Sequence, residues 1–201
     1  MSVVDYQTWI SYAQSSLRKH EYAMLCIASL GLRAGELLGL RTTSIKFDDE
    51  KKSAEIIIDL QRNRFNELGA PLKTKDSYRK LWVNGEIVDV LKYSVMYSNN
   101  IRKANFISLD ATPWLWVNQY GAPVNTSALS KITSKVSSGT DIRITPHMLR
   151  HFFATQAIAS NAPAIDVMHW LGHSSVQMTA DYTRQTKEAA LNVYDGFNGT
   201  W

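Results

Sequence analysis

The sequence predicts a mostly α-helical α+β domain that contains a small antiparallel β-sheet. Apolar residues recur at helical spacing along most of the 201-residue chain. Two β-branched runs, TSIKF (43–47) and AEIIIDL (54–60), flank a polar DDEKK turn and predict a hairpin. With 45% hydrophobic and 20% charged residues, the chain is large enough to bury a core as one domain.

The first half of the chain is predicted to hold helices that a glycine interrupts, followed by the hairpin. Apolar spacing predicts helices over 4–13 and 19–31. Gly31 ends the second helix, and one or two further turns follow over 33–40. After the hairpin, SYRKLWV (77–83) predicts a third strand.

The second half is predicted to be mainly helical. An amphipathic helix covers 85–98, and a strand or extended turn covers 114–124. Thr145 suits a helix N-cap and Pro146 suits the first helical position, so a helix should begin there. The other predicted helices cover 125–138, 164–172 and a segment around 176–184, and a C-terminal stretch follows at 187–197.

Composition and charge limit the class of protein. A single cysteine, Cys26, excludes an internal disulfide and a cysteine-based metal cluster. The net charge of +4 and a pI of about 9.1 permit a polyanionic partner without demanding one. The N-terminus lacks the pattern of a signal peptide, and the apolar run around Cys26 is too short to span a bilayer. We therefore expect an intracellular protein that has no membrane partner.

Five places in the chain carry side chains that chemistry could use. They are Arg33 with Glu36, the basic turn LKTKDSYRK, His147 with Arg150, His173 directly after Gly172, and Tyr182. Each has an ordinary structural explanation when taken alone. These explanations are a surface ion pair, solvated lysines, a solvated helix edge, a cation at a helix C-terminus and a packed tyrosine.

Taken together and in this order, the same places resemble the catalytic domain of the tyrosine recombinases, the family of phage and transposon integrases. The matching stretches are LGLRAGELLGLR, KTKDSYRKLWV, TPHMLRHFFAT and WLGHSSVQMTADYTR. H-x-x-R-H at 147–151, L-G-H at 171–173 and a tyrosine at 182 form a specific pattern. The resemblance covers roughly residues 20–185.

The resemblance implies a role for each matching residue. The implied catalytic set comprises Arg33, Lys73, His147, Arg150, His173 and the nucleophile Tyr182. In the family the two arginines clamp the scissile phosphate, and the lysine lies on the turn between the second and third strands. Lys75 is the alternative to Lys73, because Trp82 stands where the family often has a proline and the lysine alignment stays open. Glu36 and His151 match positions that support the catalytic set.

The chemistry of phosphodiester transfer is consistent with these roles. Two guanidinium groups can bind the equatorial oxygens, on which negative charge builds in the transition state. A tyrosine with a reference pKa of about 10 needs a cationic site or a proton acceptor such as His147. A lysine can protonate the leaving 5′-oxygen. The sequence has neither a carboxylate cluster for two metals nor a phosphate-binding G-x-x-x-x-G-K-[ST] loop, so we expect no metal and no cofactor.

The resemblance therefore implies a site-specific recombinase or integrase of bacterial, phage or mobile-element origin. Such an enzyme cleaves and rejoins double-stranded DNA through a covalent 3′-phosphotyrosyl intermediate, self-associates in a tetrameric synapse and can use accessory DNA-bending factors. The alternatives are a catalytically silent DNA-binding relative, a type IB topoisomerase-like nicking-closing enzyme, or a phosphotransfer enzyme of unrelated fold. The filled catalytic positions argue against the silent relative, and the spacing from L-G-H to tyrosine favours a recombinase.

We expect residues 1–201 to form a single catalytic domain. The tail at 186–201 should pack either on a neighbouring subunit, as is frequent in the family, or on its own domain. Family members usually carry an N-terminal core-binding domain, but the catalytic motifs here begin by residue 31, so that domain is expected to be absent from this chain. An excised catalytic domain and a naturally short protein fit the sequence equally.

Overall fold

The computed structural model describes residues 1–72 and 77–172, together with residues 191, 193–195 and 197. The described chain is mostly helical with small antiparallel sheets, which confirms the predicted fold class. Its helices are α1 (Val3–Ser16), α2 (Lys19–Ala28), α3 (Ala34–Leu38), α4 (Glu86–Ala104), α5 (Ala128–Thr140), α6 (Pro146–Ala159) and α7 (Ala164–Leu171), with a 3₁₀ turn at Thr42–Ser44. The helix predicted around 176–184 lies outside the described residues.

The strands form one three-stranded sheet and one separate hairpin. They are β1 (Ile45–Asp48), β2 (Ser53–Ile58), β3 (Leu60–Asn63), β4 (Asn66–Pro71) and β5 (Arg79–Asn84). Strand β2 is central and pairs antiparallel with both β1 and β5, so that Ile56 lies opposite Ile45 on one side and Leu81 on the other. The predicted hairpin and third strand are therefore present.

The hairpin of β3 and β4 was not predicted from the sequence. Its second strand, Asn66–Pro71, is exposed or half-buried along its whole length. A strand without a buried face has no need of alternating apolar residues, and that alternation is the main signal of a strand in a sequence. The segment 114–124 forms only the isolated bridges Arg41–Trp114 and Val117–Pro123, so it is an extended turn and not a strand of a sheet.

The helices and the three-stranded sheet enclose one apolar core. Helix α2 runs through it, since its residues 23–28 are all buried. A helix that is buried on all sides needs no polar face, which explains the unbroken apolar run around Cys26. No described helix combines the length and apolar character needed to cross a membrane.

A glycine after α2 brings the following loop against α6 and α7. Gly31 has a φ of +85°, a conformation that costs glycine little. A Cβ atom at this position would lie 2.9 Å from the ring of Phe153 and 2.8 Å from the side chain of Leu171. The close approach places Arg33, two residues later, beside the end of α7.

Candidate active site

An open cleft of about 570 Å³ lies between the start of α3, helix α5 and the start of α6. Its lining combines three predicted site residues with five residues that were not predicted to belong to the site. The lining residues are Leu32, Arg33, Ala34, Ser130, Thr145, Pro146, His147 and Arg150. Arg33 and Arg150, far apart in the sequence, therefore meet in one cleft with His147.

The start of α6 is built as its sequence predicts. Thr145 is the N-cap, and its hydroxyl accepts a hydrogen bond from the backbone N–H of Met148 at 3.3 Å. Pro146 occupies the first turn, where its missing N–H costs no hydrogen bond. Because Pro146 and His147 line the cleft, the positive end of this helix dipole lies at its wall.

Two backbone carbonyls hold the guanidinium of Arg150 in place. The guanidinium donates to the carbonyl of Gly31 at 2.7 Å and to the carbonyl of Leu171 at 2.8 Å. The residue is only 6% exposed. Burial, with repulsion from Arg33 as a second cause, lowers the pKa of Arg150 to about 10. The side chain is therefore still a cation at neutral pH, and an anion in the cleft would stabilise it.

Arg33 is held by hydrogen bonds from its backbone and its guanidinium, and its side chain is still partly exposed to solvent. Its Nη1 donates to Oε1 of Glu36 at 2.7 Å, its backbone N–H donates to Oε2 at 2.9 Å, and its Nη2 donates to the carbonyl of Gly172 at 3.0 Å. The Arg33 side chain is 44% exposed. It can therefore meet a ligand in the cleft while its partners hold its orientation.

Glu36 is a buried carboxylate, so the simple explanation of a surface ion pair is wrong. Its side chain is 2% exposed. Burial raises the pKa of the Glu36 carboxyl, but the attraction of Arg79 and hydrogen bonds from both Arg79 and Arg33 outweigh it, and the pKa ends below the ordinary value. The carboxylate therefore stays charged beneath the cleft.

Arg79 is a further charged residue beneath the cleft, bound to Glu36, that was not predicted from the sequence. Its buried guanidinium donates to both oxygens of Glu36, at 2.8 and 3.2 Å, and its Nε donates to the carbonyl of Trp170. A signal existed in the sequence, because Arg79 alternates with Leu81 and Val83 on the buried face of β5. An arginine on an inward strand face requires a buried partner.

His151 lies beside His147 on α6, one turn further along. The two Nε2 atoms are 2.8 Å apart, so one imidazole N–H donates to the other ring. His151 is exposed and is not among the residues that line the cleft. It therefore contacts the site through His147.

Four predicted site residues, Lys73, Lys75, His173 and Tyr182, lie outside the described residues. The described chain does show where their segments begin. Helix α7 ends at Leu171, and its C-cap Gly172 has a φ of +67° and directly precedes His173 in the sequence. Within the described ranges, no group of three or more His, Cys, Asp or Glu side chains could hold a metal ion.

The described chain is an α+β domain in which two arginines, Arg33 and Arg150, line one cleft and make it cationic. Comparison with known families gives the specific class, since residues 3–189 match the phage integrase family. The chain belongs to that family.

Curated relatives in the same family are tyrosine recombinases. The XerC-like tyrosine recombinase of Caldanaerobacter subterraneus subsp. tengcongensis is 28% identical over 208 residues, which cover 94% of this chain and 52% of the relative. Tyrosine recombinase XerC of Listeria monocytogenes serotype 4b is 40% identical over 82 residues, which cover 40% of this chain and 27% of that protein. The chain thus spans about half the length of the XerC-like relative.

Solved structures share the fold. XerH site-specific recombinase bound to its difH substrate has a TM-score of 0.64 at 18% identity, covering 87% of this chain and 47% of XerH. The Tn1549 transposon integrase in complex with transposon right end DNA also has a TM-score of 0.64, at 22% identity, covering 94% of this chain and 63% of the integrase. These likenesses confirm the predicted recombinase fold.

Proposed function

We propose that this chain is the catalytic domain of a site-specific recombinase that cleaves and rejoins double-stranded DNA through a 3′-phosphotyrosyl intermediate. One observation carries the proposal. Arg33 and Arg150 come from separate parts of the chain, line one cleft, and are both anchored by backbone carbonyls. Such preorganised donors stabilise the charge that develops on a phosphodiester under attack.

The arginines would bind the two non-bridging oxygens of the scissile phosphate. A guanidinium stays protonated at neutral pH and matches a phosphate with two parallel N–H donors. Arg150 already donates to two neutral carbonyls and has a lowered pKa, so a phosphate would add an anionic hydrogen-bond partner. Because the arginines are held before DNA arrives, little reorganisation accompanies binding.

Tyr182 is the proposed nucleophile. Its oxygen would form a bond to phosphorus while the bond from phosphorus to the 5′-oxygen breaks, which leaves a 3′-phosphotyrosine and a free 5′-hydroxyl. His147, at the rim of the cleft, or His173 would take the tyrosine proton, and Lys73 or Lys75 would protonate the 5′-oxygen. The reverse attack by a 5′-hydroxyl rejoins the strand, so no external energy source enters.

Helix α5 extends the cationic surface away from the cleft. Its exposed side carries a row of hydroxyl and ammonium groups: Ser130, Lys131, Ser134, Lys135 and Ser138. Ser130 belongs both to this row and to the cleft lining. Hydroxyl and lysine side chains are the groups that contact DNA phosphates without reading the sequence. We expect this row to contact the DNA duplex where it continues past the scissile phosphate.

Recombination between two duplexes also requires that the protein self-associates on DNA.

Trapping on a nicked substrate tests the proposal. A pool of duplexes with randomised sequence around a nick lets the short 5′-hydroxyl fragment diffuse away after cleavage, so the covalent adduct accumulates. We expect a protein–DNA adduct from the wild type and none from Tyr182→Phe, with DNA binding retained, because only the nucleophilic oxygen is lost. Binding without an adduct would indicate a silent relative. Relaxation of supercoiled DNA without strand exchange would indicate a topoisomerase-like enzyme.

A further inference from the structure

We propose that Arg79 is a positioning residue that holds Arg33 and Arg150 in their phosphate-binding geometry. The inference rests on the proposed function. Arg79 does not line the cleft, and its side chain is only 3% exposed. It therefore acts through other side chains and not by touching DNA.

The first connection runs through Glu36. Each oxygen of the Glu36 carboxylate accepts a hydrogen bond from both Arg33 and Arg79. Oε1 accepts from Nη1 of Arg33 at 2.7 Å and from Nη1 of Arg79 at 3.2 Å. Oε2 accepts from the backbone N–H of Arg33 at 2.9 Å and from Nη2 of Arg79 at 2.8 Å. The guanidinium of Arg79 thus fixes the plane of the carboxylate that orients Arg33. A lysine has no such planar pair of donors.

The second connection runs through the end of α7. Three successive carbonyls there accept hydrogen bonds from three different arginines. The carbonyl of Trp170 accepts from Arg79. The carbonyl of Leu171 accepts from Arg150 at 2.8 Å, and that of Gly172 accepts from Arg33 at 3.0 Å. The bond from Arg79 to Trp170 therefore places the two carbonyls that seat the proposed catalytic arginines.

Gly172 makes the close contact with Arg79 possible. A Cβ atom at this position would lie 2.8 Å from Nη1 of Arg79, and the φ of +67° already disfavours other residues. Arg79, Glu36 and the end of α7 therefore form one packed unit beneath the cleft.

The test compares Arg79→Lys with a matched control, Arg102→Lys. Arg102 is also a buried arginine, 3% exposed, that donates to two carbonyls, those of Thr112 and Trp114, and it does not line the cleft. Single-turnover cleavage per folded molecule should fall about a hundredfold in Arg79→Lys, because a misplacement of about 1 Å at a reacting centre has that effect. Arg102→Lys should keep the wild-type rate per folded molecule. DNA affinity should be unchanged in both variants.

A double-variant cycle separates positioning from general destabilisation. If Arg79 acts through Arg33, the loss of cleavage in Arg79→Lys combined with Arg33→Lys should be smaller than the product of the two single losses. A full product, or a wild-type rate in Arg79→Lys, would overturn the proposal.

A readout without catalysis keeps the positioning proposal distinct from the proposed function. In protein labelled with ¹⁵N-arginine, the Nε–H signals of Arg33 and Arg150 should shift in Arg79→Lys and stay in place in Arg102→Lys. Shifted signals in a protein that forms no adduct would support the positioning contacts while refuting the recombinase. Unshifted signals would refute the positioning role, whatever the activity.

Discussion

Arg33 and Arg150 occupy one cleft but differ in what their loss would do to the fold. Arg33 is half-exposed, whereas Arg150 is buried and satisfies two carbonyls. Arg33→Ala should therefore leave the fold intact, whereas Arg150→Ala should lower the free energy of unfolding. A change in the cleavage rate is thus easier to interpret in the Arg33 variant, because its folded fraction should not change.

Each of these alanine variants should cleave DNA about 10²- to 10³-fold more slowly, the usual loss when one preorganised donor to a developing oxyanion is removed. Arg150→Lys should recover little, since an ammonium cannot donate to Gly31 and Leu171 in the same fork. Adduct formation in a single turnover, normalised to the folded fraction from circular dichroism, measures the effect. Full activity in Arg150→Lys would contradict the phosphate clamp.

Glu36 links the acid stability of the domain to its site. Its folded pKa lies below the ordinary value of 4.5, so the ionised carboxylate stabilises the fold above that pH and the contribution is lost as pH falls through the folded pKa. Glu36→Gln leaves Arg79 buried without its charge partner and should cost about 3–5 kcal/mol at neutral pH. Urea unfolding from neutral to acid pH checks both effects.

In that titration the glutamine variant should lose less stability than the wild type as the pH falls below 4.5, because it has no carboxylate at this position to protonate. Parallel pH profiles for the two proteins would place the acid sensitivity elsewhere. An Asp49→Asn variant is a suitable control, since that carboxylate pairs with Lys92 at the surface.

At the scale of elements, the proposed DNA-facing row on helix α5 predicts a measurable contribution to DNA affinity. Lys131→Ala and Lys135→Ala should each reduce the slope of log K against log salt by about one, if each ammonium neutralises one phosphate. Affinity should fall about equally for all DNA sequences, because phosphate contacts carry no base information. Fluorescence anisotropy at several salt concentrations gives the slope.

Two lysines outside the α5 row provide the matched control. Lys46, exposed on β1, and Lys51, in the turn after it, have the same charge and do not line the cleft. Alanine at both positions should leave the salt slope close to the wild-type value. Equal slopes for the control and α5 variants would mean that α5 is not the DNA-facing surface.

The elements of this fold were predictable where their signals are local. Thr145 and Pro146 mark a helix start within two residues, and the runs around DDEKK mark a hairpin. The alternation in β5 could mark Arg79 as buried, but it could not assign the partners Glu36 and Trp170, which come from α3 and α7. Such partners are set by packing between distant elements, and no local pattern encodes them.

The candidate site likewise has residues that local motifs predict and residues that only packing between elements brings together. The resemblance indicated Arg33, His147 and Arg150 from short motifs, and the structure brings all three to one cleft. The motifs carry no information about Ser130, which reaches the cleft only because α5 packs against α1, α2 and α6. The roles of the lysine, His173 and Tyr182 remain predictions from the sequence.

At the scale of the whole molecule, the C-terminal segment bears on stability. Tyr194 donates its hydroxyl to the carbonyl of Asn84 at 2.7 Å, and the ring of Phe197 packs on Phe153 with centroids 4.9 Å apart. Both aromatic residues are fully buried in the core of their own chain. The described part of the tail therefore contributes to the fold of the domain.

Removal of this segment should consequently destabilise the domain. Phe197→Ala should cost about 3–5 kcal/mol, as is usual for a buried phenylalanine, and a chain that ends at Arg184 should lose more. Thermal and urea unfolding measure both variants. A truncated chain that stays folded, yet forms no synaptic complex on DNA, would instead favour packing of the tail on a neighbouring subunit.

The crowding of Arg33, Arg79 and Arg150 around a single carboxylate has a consequence for handling the protein. Like charges held together repel, so the three guanidinium groups oppose part of the stabilisation that Glu36 and the apolar core supply. Any small oxyanion that enters the cleft relieves this repulsion and, by mass action, favours the folded state. Sulfate or phosphate should therefore preserve the domain during purification and storage better than chloride at the same ionic strength.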